Sequence, residues 1–115
     1  MALDELTQRR VQAEVAAYIE AKRPPAHIRP QLDIQFKLEN QSIIIFEVRP
    51  HWQKVGEILR NEVAKASYIK TRNVWKIFWM RADLKWHGYE PHLYSETVKE
   101  FLEIVEEDEY ACFWG

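Results

Sequence analysis

Over residues 3–23, Val11, Val15, Tyr18 and Ile19 recur at helical spacing, with Gln8, Gln12, Glu14 and Glu20 mostly on other sides. One apolar stripe of this kind predicts an amphipathic helix. Pro24 and Pro25 end it, because proline has no N–H to donate and pushes the residue before it out of helical backbone. The stretch to Pro30 reads as a linker. Residues 32–39, LDIQFKLE, alternate strictly: Leu32, Ile34, Phe36 and Leu38 share one face, Asp33, Gln35, Lys37 and Glu39 the other. That is a half-buried strand. After Asn40-Gln41 comes SIIIFEVRP, with Ile44, Phe46 and Val48 on one face and Glu47 and Arg49 on the other. The two runs predict a hairpin. An odd loop makes their apolar faces coincide, whereas a two-residue loop sets Leu32, Ile34 and Phe36 beside Glu47 and Arg49; the odd loop is the expectation.

Residues 51–62 carry Trp52, Val55 and Leu59 at rough helical spacing, interrupted by Pro50 and Gly56, and read as a short helix or an ordered loop. VAKASYIK, VWKIFWMR and KWHGYE are three short runs separated by Thr71-Arg72-Asn73 and Ala82-Asp83-Leu84, the pattern of an antiparallel meander. In the second run Trp75, Ile77, Trp79 and Arg81 share a face, opposite Lys76, Phe78 and Met80. A two-residue turn then places Trp86 beside Trp75 and Trp79, and Tyr89 with Phe78 and Met80. Ser95 is the expected N-cap of a second helix, with Glu96 in the first turn and Val98, Phe101, Leu102 and Val105 at i, i+3, i+4 and i+7. The prediction is a single α+β domain over residues 1–115: an N-terminal helix, about five antiparallel strands, and a C-terminal helix with an aromatic tail.

Composition narrows the function classes. The chain has 115 residues, 47% hydrophobic and 13% aromatic, enough for one core and too short for two ordinary domains. A formal net charge of −2 lacks the basic excess that draws a whole protein to phosphate backbones, so a nucleic-acid role needs a local patch. Cys112 is the only cysteine, which excludes an intrachain disulfide. No apolar run is long enough to span a bilayer and the first residues lack a signal-peptide pattern, so a cytoplasmic protein without a membrane span is expected.

Ala64-Lys65, Trp75 and Trp79 in an aromatic strand, Arg81, Asp83, Trp86 and Tyr89, and the ending DEYACFWG with Asp108, Cys112, Phe113, Trp114 and Gly115 form one pattern along the C-terminal half. In these residues the chain resembles a family of uncharacterised bacterial proteins, the domain of unknown function 3024. The resemblance covers roughly residues 63–115 and, more loosely, the hairpin and Trp52. Leu84 departs from it, standing where a small turn residue such as glycine is expected. The resemblance implies one small bacterial domain and transfers no catalytic residue.

Candidate chemistry is then a matter of sites. Trp75, Trp79 and Trp86, with Lys76, Arg81 and Tyr89 nearby, are the candidate binding residues: exposed rings stack on bases, and residues 60–85 hold seven Lys or Arg against Glu62 and Asp83. The competing reading is the core, since a sheet under helices must bury such a face. Apolar residues on both faces of the meander predict a homodimer. In the odd-loop register Asp33 lies across from Glu47 with Arg49 and Lys37 on the same face, a loose likeness to metal-dependent nucleases; Arg49 cannot deprotonate to act as a base, and a solvated charged face is the alternative. His27, His51, His87 and His92 lack zinc-like spacing, and three glycines exclude a Gly-rich phosphate loop. No cofactor is expected. From Glu90 onward eight acids face one lysine, and their crowding at the end of the second helix opposes its dipole, so Arg9, Arg10, Lys22, Arg23 or the basic middle segment are expected to compensate. The favoured function is a non-enzymatic, self-associating module, joined through its sheet or aromatic tail, that binds a protein or a nucleic acid. The alternatives are a single-stranded nucleic-acid binder on the tryptophan face and a nuclease-like enzyme on Asp33 and Glu47.

Overall fold

The computed structural model describes residues 3–114. Helix α1 spans Glu5–Lys22 and starts at Asp4, whose carboxylate accepts from the Thr7 N–H at 2.8 Å and from the Thr7 hydroxyl at 2.8 Å; this satisfies donors that a first helical turn leaves open. The strands follow as β1 (Asp33–Glu39), β2 (Ser42–Pro50), β3 (Ile58–Ile69), β4 (Val74–Met80) and β5 (Trp86–Gly88). A 3₁₀ turn (Glu90–His92), the short β6 (Tyr94–Ser95) and helix α2 (Val98–Glu107) complete the chain. The sheet runs β1-β2-β3-β4-β5, all antiparallel. β6 pairs with the opening residues of β4, Trp75 and Lys76, while β5 pairs with its closing residues. The α+β prediction, an N-terminal and a C-terminal helix with an antiparallel sheet between them in the chain, describes this architecture.

The first hairpin corrects the expected odd loop. Glu39 pairs with Ser42, so the loop is the two residues Asn40 and Gln41, and Ile34, Phe36 and Leu38 stand opposite Glu47, Ile45 and Ile43. Asn40 takes φ 57°, in the left-handed region that asparagine tolerates better than most residues. Alternation alone cannot set this register, because SIIIF is apolar at both parities; the turn sets it. Ile43 and Ile45 therefore join the core, and Ile44 and Phe46 are buried on the other face.

The meander contains the second correction. Met80 pairs with Trp86, and Arg81 N–H donates to the Lys85 carbonyl at 3.2 Å, leaving the three-residue turn Ala82-Asp83-Leu84. Leu84 sits at φ 61°, the left-handed position of a three-residue hairpin, usually glycine, where a leucine is strained. The Asp83 carboxylate holds it by accepting from the Lys85 N–H at 3.0 Å and bonding the His87 ring at 2.9 Å. The odd turn exchanges two side chains relative to the expectation: Trp86 joins Phe78 and Met80 on the outer face, while Tyr89 enters the core at 1% exposure.

Both helices cover one face. Val11, Val15 and Ile19 of α1 and Val98, Phe101, Leu102 and Val105 of α2 pack with Ile43, Ile45, Ala64, Ala66, Trp75 and Ile77. α2 is capped by Thr97, not Ser95: Thr97 Oγ1 accepts from the Glu100 N–H at 3.1 Å, while the Glu100 carboxylate accepts from the N–H of Glu96, the residue before the cap, at 3.3 Å. Ser95 is buried in β6 and its hydroxyl donates to the Thr97 carbonyl. The tail also folds back. Asp108, at φ 42°, accepts from the Phe113 and Trp114 N–H groups at 2.9 Å each, Trp114 Nε1 donates to the Val105 carbonyl at 3.1 Å, and the Phe113 ring lies 4.8 Å from that of Tyr89.

Residues 51–57 form the ordered loop of a long β2–β3 hairpin, not a helix. His51 N–H donates to the Glu57 carbonyl at 2.9 Å, Glu57 N–H to the Lys54 carbonyl at 3.2 Å, and Gly56 takes φ 88°, as a turn with positive φ at its third residue requires. β3 residues 58–63 have no partner on β4, and Arg49 and Pro50 have none on β1. The hairpin therefore projects as a two-stranded arm. β3 parts from β4 at a bulge where Ile45 pairs with Ala64 but Phe46 with Glu62, with Val63 the extra residue that bends and twists the ribbon, and β2 parts from β1 after Val48.

At the root of the arm, Asp33 anchors α1 to the sheet. Its carboxylate accepts from Arg23 Nε at 2.8 Å and Nη2 at 3.0 Å, and from the Ile34 N–H at 2.8 Å. The Arg23 hydrogen bonds hold the Asp33 carboxyl below its ordinary range, against the opposing effect of burial. A folded-state pKa below the unfolded value gives stability that is complete above about pH 4 and is lost as the pH falls through the folded value. Asp33→Asn is accordingly expected to cost about 2 kcal/mol in urea unfolding at pH 7. The gap to the parent chain should close as the pH is lowered toward 2, and a gap of constant size would exclude the ionic bridge as its source.

Candidate functional site

The candidate residues separate onto different surfaces. Trp75 is 4% exposed, with its ring 5.2 Å from that of Tyr68 and inside the helix-covered core. Trp79, opposite Ala64 and His87, shares that face, is half-buried against the core and lies under the Arg81 guanidinium at 5.5 Å. Tyr89 is core as well, and burial pushes its phenol up from its ordinary pKa. The three indoles therefore form no common platform: Trp86 is on the outer face with Lys76.

The carboxylate pair also comes apart. Asp33 stands opposite Val48, and it is Ile34 that faces Glu47, so in alternating strands Asp33 and Glu47 belong to opposite faces. Asp33 is engaged by Arg23, while Glu47 lies 3.4 Å from Arg49. Among the described residues no group of three His, Cys, Asp or Glu is placed to hold a metal ion. Cys112 Sγ donates to the Tyr110 carbonyl at 3.7 Å rather than to an imidazole, and burial pushes its thiol up.

Two surfaces remain that alternation did not single out. The first is the outer sheet face. Lys65, opposite Ile44 and Phe78, holds its ammonium 4.7 Å from the Phe78 ring and 5.0 Å from that of Trp86, and Lys76 lies 5.3 Å from the Phe78 ring. The ammonium groups themselves lie over the ring faces, in cation–π contact. Burial pushes the Lys65 ammonium below its ordinary pKa, with Glu62 and Glu39 acting the other way. The second is the arm tip, where Trp52 is 79% exposed, Val55 fully exposed and Ile58 49% exposed. The His51 ring orders this tip: Nδ1 accepts from the Gln53 and Lys54 N–H groups at 3.0 Å each and the ring stacks 6.1 Å from Trp52. The missed signal was the hairpin length, with apolar residues spaced around Gly56 and no element to cover them.

The acidic C-terminal segment is partly compensated as expected, by Lys22 of α1. Its ammonium lies 3.2 Å from Glu106 and 5.0 Å from the Trp114 ring, and the Tyr18 hydroxyl donates to Glu106 at 2.8 Å. These bonds lower the Glu106 pKa, whereas burial and Glu106 raise that of Tyr18.

A family model for a domain of unknown function, DUF3024, matches residues 3–115. The chain belongs to this family. The match takes in the N-terminal helix and the arm as well as the aromatic C-terminal half, so the DUF3024 unit is the whole α+β fold. Comparison with curated proteins and with solved structures finds no match. No helix among the described residues of this DUF3024 protein is long and apolar enough to cross a membrane.

The division of the tryptophans between core and surface has a direct check. Trp75→Ala is expected to destabilise the chain by about 3–5 kcal/mol, as removal of a buried indole does. Trp86→Ala, at a half-buried ring, should cost under half of that. Equal losses in thermal or urea unfolding would contradict the assignment of the two rings to different faces.

Proposed function

We propose that this DUF3024 protein is a non-enzymatic binding module that self-associates through its β2–β3 arm. The observation that carries the reading is the arm tip: Trp52, Val55 and Ile58 lie exposed within seven residues on an ordered hairpin. Large apolar groups held outward on a rigid ribbon are a contact surface, and their ordering lowers the entropy cost of docking. The aromatic tail is engaged within the chain, so the arm rather than the tail is the joining element. Light scattering at micromolar concentration is expected to give twice the mass of one chain, and Trp52→Glu with Val55→Glu should return it to one. A parent chain that scatters as a single copy would refute self-association.

A second reading concerns a different surface and has its own observation, Lys65 seated between the Phe78 and Trp86 rings beside Lys76. Rings interleaved with ammonium groups suit single-stranded nucleic acid, whose bases stack for about 1–3 kcal/mol each while phosphates meet the cations. Fluorescence anisotropy with a labelled oligothymidylate at low salt is expected to detect binding that weakens as salt rises. Trp86→Ala should lower the affinity by about tenfold. Unchanged anisotropy at low salt would dispose of this second role and leave the first standing.

A further inference from the structure

We propose that the arm of one copy docks in the groove between α1 and α2 of a second copy, and reciprocally, so that two arms are exchanged in a twofold dimer; this rests on the self-association proposed above. The groove has a volume of about 440 Å³, with Leu102 and the Tyr18 ring as its apolar lining and Glu14, Glu103, Glu106 and Glu107 around it, opposed there by Lys99. The arm is its complement. Its tip carries Trp52, Val55 and Ile58 together with Lys54 and Arg60, against Glu57 between them, with Glu62 nearer the root of the arm.

Charge is the deciding argument. Carboxylates at the end of a helix oppose its dipole, and Lys22 neutralises only Glu106; among the described residues Glu14, Glu103 and Glu107 form no ion pair, and neither do Lys54 and Arg60. Docking would bring these two unpaired sets together around an apolar contact. Stacking the outer sheet faces is the competing geometry. It sets Lys65 and Lys76 of one copy toward the same lysines of the other, and like charges so opposed repel. Reciprocal exchange also closes the assembly, since each copy gives one arm and receives one.

Two pairs of charge reversals at exposed positions test the exchange. One variant carries Lys54→Glu and Arg60→Glu; the other carries Glu103→Lys and Glu107→Lys. Far-UV circular dichroism and thermal unfolding establish that each retains the fold. Alone, each should scatter at half the mass of the parent dimer, because an acidic arm then meets an acidic groove or a basic arm a basic one. Mixed in equal amounts, they should recover the two-chain mass, since both contacts of the heterodimer regain opposite charges. Retention of the dimer by either folded variant alone, or a mixture that stays at one-chain mass, would overturn the arm-in-groove contact while leaving self-association intact. A single-chain parent would overturn both.

Discussion

Two turns of opposite parity govern what each face of this sheet presents. Asn40-Gln41 holds Ile43 and Ile45 beneath the helices and turns Ile44 and Phe46 outward; Ala82-Asp83-Leu84 turns Trp86 outward and delivers Tyr89 to the core. A one-residue change in either loop would invert every side chain of the strand it aims. Both turns use a non-glycine residue in left-handed backbone, Asn40 and Leu84, a conformation that persists only where the surrounding contacts over-determine it. For Leu84 those contacts include the Asp83 carboxylate and the paired Arg81 and Lys85 backbones.

With the faces so assigned, each has its own solution to exposed apolar surface. The inner face is covered by α1 and α2, and the tail closes one side of that layer through Asp108, Phe113 and Trp114. The outer face is covered in part by its own lysines, whose ammonium groups lie over Phe78 and Trp86. The arm tip has no cover, because β2 and β3 run past both neighbouring strands there. Its order comes from polar contacts, the His51 ring and the loop-closing backbone bonds, rather than from packing.

The two proposed roles use surfaces that do not overlap. The arm would join copies and the outer sheet face would bind, so association would leave the ring and lysine cluster of each copy available. Charge is distributed to suit this division. Lysines punctuate the outer face, acids gather along the helical layer, and the overall balance of −2 conceals both.

Much of the fold was legible in the sequence by itself. The apolar stripe of α1, its stop at Pro24, the strict alternation of β1, the Val98, Phe101, Leu102, Val105 stripe of α2 and the aromatic ending determined the α+β class and the family. Those signals are local, set by the 3.6- and 2-residue periods. Tertiary structure decided the faces, for a physical reason: SIIIF and VWKIFWM are apolar at both parities, so alternation within the strand does not say which side the helices will cover. Loop parity and helix packing resolved it, sending Trp75 to the core and Trp86 outward, and parting Asp33 from Glu47. The same holds for the arm, since nothing in residues 51–57 shows that β2 and β3 outrun their neighbours; only the pairing of the whole sheet leaves Trp52, Val55 and Ile58 without cover.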